Sequence, residues 1–546
     1  MTADLVLAGG TVLTSDRARP RDEAVAVRAG RIAFVGSAED AREWVGPHTE
    51  VIELSGRTLL PGFQDAHVHL ASSGLGGLQC DLRAAAAPAA YGELIRAYAA
   101  SHPDEEWIVG DGWGSDDFGG PMPTRQQLDA IVADRPVYLE TRDAHTAWVN
   151  SLALERAGVT ASTRDPEGGL IDRDDAGAPS GTLQESARRL VRAHLPEPSA
   201  ADWQEAIRRA QAELHSYGVT ACQEANLTPD LFEPYRAVAG RGELTIRLEG
   251  NLAWDSALET EQLEGLLDRR ARGTVGRMRI RGAKLFQDGV AENFTAAMLE
   301  PYRDAAGAHT ANAGLSMFAP ERLARDVTLL DAHGFQVHVH ALGDRAVREA
   351  LDALEAAARA NGRRDARHHL AHLQFVHPED LPRFAALGVV ANVTPLWAVL
   401  DGYVTDLTLP FVGERAAATM YPFASLARAG ARLAVGSDWS VSSPDPLLQV
   451  AVAALRRMPD EPGAEPLLPA ERLDVAAALE AATLGSAYVN HLDAETGSIT
   501  VGKLADLVVL DRDLAGAGPA EIAEARVVLT LVEGETVYAS PEGRPA

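Results

Sequence analysis

The stretch FQVHVHALGDRAVREALDALEAAARANG (residues 335–362) has the pattern that decides the fold, an apolar strand followed by a helix. Its first third is short, apolar and β-branched, as a buried strand is. Its second part places Val347, Leu351 and Leu354 on one helical face. A strand, a short loop and a helix in this order favour one β/α unit of a parallel sheet.

The same unit recurs along the chain. Helical stretches such as WQEAIRRAQAELHSYG (203–218) separate further apolar strands, and one more strand ends at His67. Eight strands that alternate with helices predict an α/β protein with a (β/α)8 TIM-like barrel. Besides the strand that ends at His67, the predicted barrel strands are 218–225, 244–252, 278–289, 335–344, 368–375, 389–395 and 431–439.

The two ends of the chain predict a second body. Residues 4–56 and the C-terminal segment both show short alternating β-branched runs with Gly turns, so we expect 1–58 and 490–546 to form one small composite β-sandwich domain. The barrel then takes 59–70 and 216–489. Residues 71–215 are too long for one barrel connection and predict an α+β insertion domain.

Composition excludes several classes of protein. The net charge of −28 over 546 residues opposes binding to nucleic acid. Two cysteines, Cys80 and Cys222, make neither a disulfide framework nor a thiolate zinc motif. No apolar stretch is long enough for a membrane span and no secretory leader is evident. We therefore expect a cytoplasmic protein that does not bind membranes.

Residues of the metal-ligand type stand at the ends of the predicted barrel strands, where barrel enzymes carry their chemistry. Several imidazoles with a carboxylate suit zinc or another borderline divalent ion, and the number exceeds what one catalytic ion takes from a protein. Two ions would use them all, with a buried lysine converted by carbon dioxide into a bridging carbamate. The candidates are His67 and His69 in PGFQDAHVHL (61–70), Lys284, His340, His372 and Asp438.

Plainer interpretations remain open at this point. Lys284 could pair with Asp288, and Glu224 or Cys222 could bridge the ions instead of a modified lysine. His338 shares a strand face with His340 and could be a ligand in its place. A structural role is the favoured interpretation for His338 and for His369. Strand alternation predicts that His369 faces away from the barrel lumen.

The set PGFQDAHVHL, KLFQDG, HVHALGDRAV, LAHLQFV and VGSDWSVSSPDP resembles the amidohydrolase superfamily, and within it the YtcJ-like amidohydrolase family 3, which includes N-substituted formamide deformylases. The resemblance runs from about residue 4 to about residue 512. It implies that His67, His69 and Asp438 hold one zinc ion, that His340 and His372 hold a second, and that carboxylated Lys284 bridges them. It also implies that Asp438 moves the proton while water activated by the metal attacks an amide.

The expected function is hydrolysis of a non-peptide C–N bond in a small amide, an N-substituted formamide or a related N-acyl amine. Alternatives are a heterocycle deaminase, a cyclic amidase, a D-aminoacylase-like enzyme for N-acyl amino acids and, more distantly, a scaffold without catalysis. We expect a homodimer. The candidate substrate-pocket residues are Trp113, His145, Asn150, Phe286, Asp288, Trp397 and Trp439.

Overall fold

A computed structural model describes residues 2–541 except residues 84, 86, 115, 119–121, 143–145, 167 and 168. Its central sheet has eight parallel strands, which confirms the predicted barrel class and all eight predicted strands. In chain order these strands are β1 (Phe63–Val68), β2 (Val219–Leu227), β3 (Arg247–Ala253), β4 (Met278–Phe286), β5 (Gln336–Ala341), β6 (His369–His372), β7 (Val390–Val393) and β8 (Leu433–Val435).

Each strand pairs with the next one along the chain, so β1 and β8 are the two ends of the sheet. The segment after β8 closes the barrel, because the Asp438 amide donates to the His67 carbonyl at 2.8 Å and the His69 amide donates to the Trp439 carbonyl at 2.9 Å. The hydrogen bonds that close the barrel are therefore made by the backbone of predicted ligands and of Trp439.

Helices alternate with the barrel strands, as the apolar periodicity predicts. The helices of this region that the structure describes are Pro229–Gly240, Gln262–Arg272, Pro320–Ala332, Asp344–Asn361, Leu381–Leu387, Gly402–Thr405, Glu414–Ala417, Phe423–Arg428, Pro446–Leu455, Val475–Glu480, the π-helix Ala481–Gly485 and Ser486–Val489. Short 3-10 turns lie at Ala291–Asn293, Pro395–Trp397, Leu409–Phe411 and Pro469–Glu471. In Asp344–Asn361, Val347, Leu351 and Leu354 are all buried, as predicted.

Both ends of the chain contribute strands to one eight-stranded sheet. Thr58–Pro61 pairs antiparallel with Leu507–Leu510, so Leu59 lies opposite Val509. Both side chains are buried in the core of this sheet. The other strands are Leu5–Leu13, Arg21–Arg28, Arg31–Gly36, Glu50–Glu53, Val527–Val532 and Glu535–Ala539, and the helical segments are Ala38–Ala41, Arg42–Trp44 and Pro519–Ala523.

The contacts divide the chain into two compact units, residues 1–70 with 211–546 and residues 71–210. The smaller unit has a six-stranded sheet in the order Gly169–Arg173, Pro179–Glu185, Thr146–Val149, Val137–Thr141, Ile108–Trp113 and Cys80–Asp81. The helical segments that lie wholly or partly within residues 71–210 are Leu70–Gly76, Pro88–Ser101, Asp116–Phe118, Arg125–Asp129, Ser151–Arg156, Ser186–Arg188, Arg189–Arg192 and Ala200–Ser216. Within the described ranges, no helix is both long and apolar enough to cross a membrane.

Candidate metal centre

Three of the predicted ligands converge on one point at the carboxyl end of the barrel. Nε2 of His67 and Nε2 of His69 each lie 3.2 Å from Oδ1 of Asp438. Among the described residues, these three are the group of histidine, cysteine, aspartate or glutamate side chains whose ligand atoms all lie within 4.8 Å of one another. The HxH spacing gives this result because His67 is the second-last residue of β1, and His69, two residues later, projects to the same side.

The electrostatics of this group fit a cation. Oδ1 of Asp438 is buried and accepts no hydrogen bond from the described residues. A buried carboxylate oxygen without a donor is costly unless a positive charge satisfies it. Two imidazole nitrogens and one carboxylate oxygen are also the donor types that zinc and similar divalent ions prefer.

His340 and His372 extend the cluster on its other side. Their ring centres are 4.8 Å apart, and the ring of His372 lies 4.7 Å from that of His67. Nδ1 of His372 lies 3.3 Å from the hydroxyl of Thr394, and its ring stacks on Trp397 at 4.8 Å with an angle of 5°. Adjacent strands β5 and β6 therefore place two further imidazoles beside the first three ligands.

Lys284 lies inside this cluster. Its Nζ is 3.5 Å from Nε2 of His67 and 4.6 Å from the centre of the Phe286 ring. Burial lowers the pKa of Lys284 from 10.5 to about 7, although the carboxylates of Asp438 and Glu224 raise it. A lysine with this pKa is partly uncharged at neutral pH and can act as a nucleophile.

The protonation states of the other ligands also suit a metal ion. Burial, assisted by the charge of Lys284, lowers the pKa of His67 to about 3, and burial lowers the pKa of His372 well below its ordinary value. Burial raises the pKa of Asp438, but the combined effect of His67, His69 and His372 is larger and lowers it. The pKa of Asp438 is therefore well below the ordinary range. The site thus offers neutral imidazoles and an ionised carboxylate, the forms that bind metals.

Asp288 supports the cluster from the loop after β4. Its carboxylate accepts hydrogen bonds from the backbone amides of Ala297, Leu342 and Gly343 at 3.0, 3.1 and 2.8 Å. Its Oδ1 lies 3.3 Å from Nδ1 of His340. Among the described contacts Asp288 makes no ion pair with Lys284, so the alternative pairing is not observed, and the carboxylate is committed to the backbone and His340.

A sequence profile described as "Amidohydrolase family" matches residues 50–538. The chain belongs to the amidohydrolase family. The match includes all eight barrel strands and the C-terminal strands, so it does not depend on one motif. The predicted resemblance to this family is confirmed.

Three relatives match this chain along almost its whole length. It is 33% identical to LONG AFTER FAR-RED 3 of Arabidopsis thaliana, over 98% of this chain and 92% of the relative. It is 31% identical to YtcJ of Bacillus subtilis (strain 168), over 97% and 98%. It is 28% identical to N-substituted formamide deformylase of Arthrobacter pascens, over 98% of both chains.

A solved structure gives the same result for the fold. An uncharacterized metal-dependent hydrolase from Pyrococcus furiosus is 26% identical, with a TM-score of 0.74 over 93% of this chain and 99% of its own. This chain is therefore a hydrolase of the metal-dependent amidohydrolase superfamily.

The predicted substrate-pocket residues separate into two groups. Phe286 and Trp397 contact the rings of His340 and His372, and the backbone of Trp439 closes the barrel beside His69. These aromatic residues of the amidohydrolase barrel border the metal centre. His145 lies outside the described residues.

Trp113 and Asn150 have structural duties inside the smaller unit. Trp113 is fully buried and its indole donates to the Leu139 carbonyl at 2.9 Å. The Asn150 side chain caps helix Ser151–Arg156, accepts from the Val137 amide at 2.9 Å and donates to the Arg135 carbonyl at 2.8 Å. Their polar atoms are thus used within their own unit.

The two alternative bridging residues have different surroundings. Burial raises the pKa of the Cys222 thiol well above its ordinary value, and Cys222 is outside the group of converging ligands. Oε1 of Glu224 lies 4.0 Å from Nδ1 of His69, and its other oxygen accepts from the Tyr235 hydroxyl at 2.5 Å. Glu224 therefore lies behind His69, on the side away from Asp438.

His338 has a closer connection to the site than the sequence suggested. Its Nε2 is 2.9 Å from Nδ1 of His67, and its ring lies 4.0 Å from that of His369. The expectation that His369 faces away from the lumen is wrong. His372 has φ +78°, and this left-handed backbone interrupts the strand alternation, so His369 and His372 both reach the histidine cluster.

Proposed function

We propose that this chain hydrolyses the amide bond of a small N-substituted formamide or a related N-acyl amine, with water as the nucleophile. The observation that carries the proposal is the cluster of four imidazoles, three of them buried, with one ionised aspartate and one lysine of lowered pKa, at the carboxyl end of the barrel. The similarity to N-substituted formamide deformylase over 98% of both chains supports the choice of substrate class.

Two divalent ions, with zinc the first choice, fit this donor set. His67, His69 and Asp438 would hold one ion, and His340 and His372 would hold the other. A bound ion of this kind lowers the pKa of water and polarises a carbonyl group.

Lys284 would complete the centre as a carbamate. Its uncharged Nζ attacks carbon dioxide, an N–C bond forms, and one proton leaves, which converts the amine into an anion with two oxygen atoms. The lowered pKa supports this step because the reacting form is the free amine. The step also removes the cost of an ammonium group among metal ligands.

Asp438 would carry the proton during hydrolysis. Its carboxylate is ionised, so an oxygen that does not bind the ion can accept a proton from the attacking water. Return of this proton to the amide nitrogen lets the amine leave as a neutral molecule. No serine or cysteine nucleophile is required.

One wall of the site offers an apolar surface to a substrate. Phe286 is 38% exposed and lies against His340, so its ring is available for contact with a bound molecule.

The test is release of primary amine by the full chain loaded with zinc and bicarbonate. The panel contains N-benzylformamide, the same amine with longer acyl groups, and N-acyl amino acids, with Asp438→Asn as the matched inactive control. We expect turnover to be highest for the formamide or a short acyl amide. Activity confined to N-acyl amino acids, or ammonia release from heterocycles without amine release from any amide, would refute the proposal.

A further inference from the structure

A buried pair of histidines lies directly beneath the metal centre and has no role in the proposed chemistry. His338 stands two residues before His340 in β5, and His369 begins β6, where the two are paired in register. Both rings are fully buried. His338 meets His67 nearly edge-on, with ring centres 4.7 Å apart at an angle of 84°.

The two nitrogens of His67 face different groups. Nε2 faces Asp438 and Lys284, at 3.2 and 3.5 Å, so it is the nitrogen on the metal side. Nδ1 faces Nε2 of His338 at 2.9 Å. If a metal uses the lone pair on Nε2, the ring proton of His67 must reside on Nδ1.

Among the described residues, the group that faces this proton is Nε2 of His338. A hydrogen bond of 2.9 Å between two imidazoles needs one proton between them, so Nε2 of His338 accepts and its own proton resides on Nδ1. Nδ1 of His338 makes no hydrogen bond to any described residue. The ring is therefore held by the contact with His67 and by packing against His369 at 4.0 Å.

We infer that His338 is a positioning residue for the metal centre, which fixes the tautomer and the rotation of His67. The inference rests on the metal-binding part of the proposed function. His369, which packs against His338 from the neighbouring strand, holds the His338 ring in the orientation that accepts from His67. A carbonyl or carboxylate commonly occupies the place behind a metal-bound histidine, and here an imidazole takes it.

The decisive comparison uses three variants of the full chain. His338→Leu removes the acceptor at similar volume, and His338→Gln keeps an acceptor at about the position of Nε2. His215→Leu is the matched control: His215 is also a buried histidine with partners at both nitrogens, Val219 and Thr245, but it is outside the cluster. Zinc affinity is measured by competition with a chelator, and the visible spectrum of the cobalt-loaded protein reports ligand geometry.

We expect His338→Leu to weaken zinc binding about 10- to 100-fold and to change the cobalt spectrum, while His338→Gln stays within about threefold of the natural protein. His215→Leu should leave both unchanged. Equal zinc affinity and equal cobalt spectra in the natural protein and His338→Leu would overturn the inference without touching the proposed function. Failure of the natural protein itself to bind zinc would overturn the proposed function instead.

A second measurement applies if His338→Leu does not fold. In zinc-loaded natural protein with 15N-labelled histidine, the His67 resonance is assigned by its loss in His67→Asn. A protonated Nδ1 on His67 supports the inference. A proton on Nε2 of His67 would overturn it.

Discussion

Replacing Lys284 by methionine should stabilise the metal-free protein, by an amount that depends on pH. Lys284 is fully buried among histidines, and burial lowers its pKa from 10.5 to about 7. The folded chain therefore disfavours the ammonium form, whereas the unfolded chain does not. Methionine has similar length and no charge, so it keeps the packing and removes this cost.

The size of the effect follows from the two pKa values. A change from 10.5 to about 7 corresponds to about 5 kcal/mol, since each pH unit contributes about 1.4 kcal/mol. Below pH 7 both states bind the proton and the cost is constant. Between pH 7 and 10.5 the unfolded state binds more protons, so the stability of the natural protein rises with pH. The cost is about 4 kcal/mol at pH 7 and about 1 kcal/mol at pH 10.

Urea unfolding in chelator and carbon-dioxide-free buffer measures this difference. The free energy of unfolding of Lys284→Met minus that of the natural protein should fall by about 3 kcal/mol from pH 7 to pH 10. Other groups that titrate in this range, common to both chains, cancel in the difference. A difference that does not vary with pH would refute the assigned burial and protonation of Lys284.

Three further changes test individual residues. Asp438→Asn should keep the circular dichroism spectrum and lower kcat at least about 100-fold, as loss of a general base does. Activity near that of the natural protein would exclude proton transfer by Asp438. Phe286→Ala should raise KM for N-benzyl amides several-fold with little change in kcat, and an unchanged KM would remove the ring from the pocket. Asn150→Ala should destabilise its unit by about 1–3 kcal/mol, because the hydrogen bonds of Asn150 are structural. The kcat of the folded protein should not change, and a selective loss of kcat would indicate a substrate role for Asn150.

The convergence of the ligands could be predicted because it depends only on strand order and strand ends. His67 and Asp438 are far apart in sequence, yet His67 lies at the carboxyl end of β1 and Asp438 follows the carboxyl end of β8. These two ends meet when the barrel closes. Apolar periodicity predicts those strands, and the residue types at their ends predict the donors.

The directions of individual side chains could not be predicted in the same way. Alternation of side chains holds only while the backbone stays extended. The positive φ of His372 changes the direction of its own side chain, so His372 and His369 lie on the same side although they are three residues apart. The HxH pattern of His338 and His340 showed that both face the same side, but it could not show that His338 would meet His67 across the barrel. Asn150 lies in a loop, where tertiary partners rather than periodicity decide the role.

Several residues of this site lower the stability of the fold, and this bears on whether the chain is an enzyme or a scaffold without catalysis. His372 and Asp438 hold left-handed backbone at φ +78° and +54°, which costs about 1–3 kcal/mol for each such residue. In the part of the chain that the structure describes, no group donates to the buried Oδ1 of Asp438, and Lys284 is a buried amine. A barrel that served only as a support would gain stability by replacing any of them. A divalent ion would relieve the cost at Asp438, and a carbamate would relieve the cost at Lys284. The two residues lie beside the strained backbone, which favours a site built for metal-dependent chemistry over a scaffold.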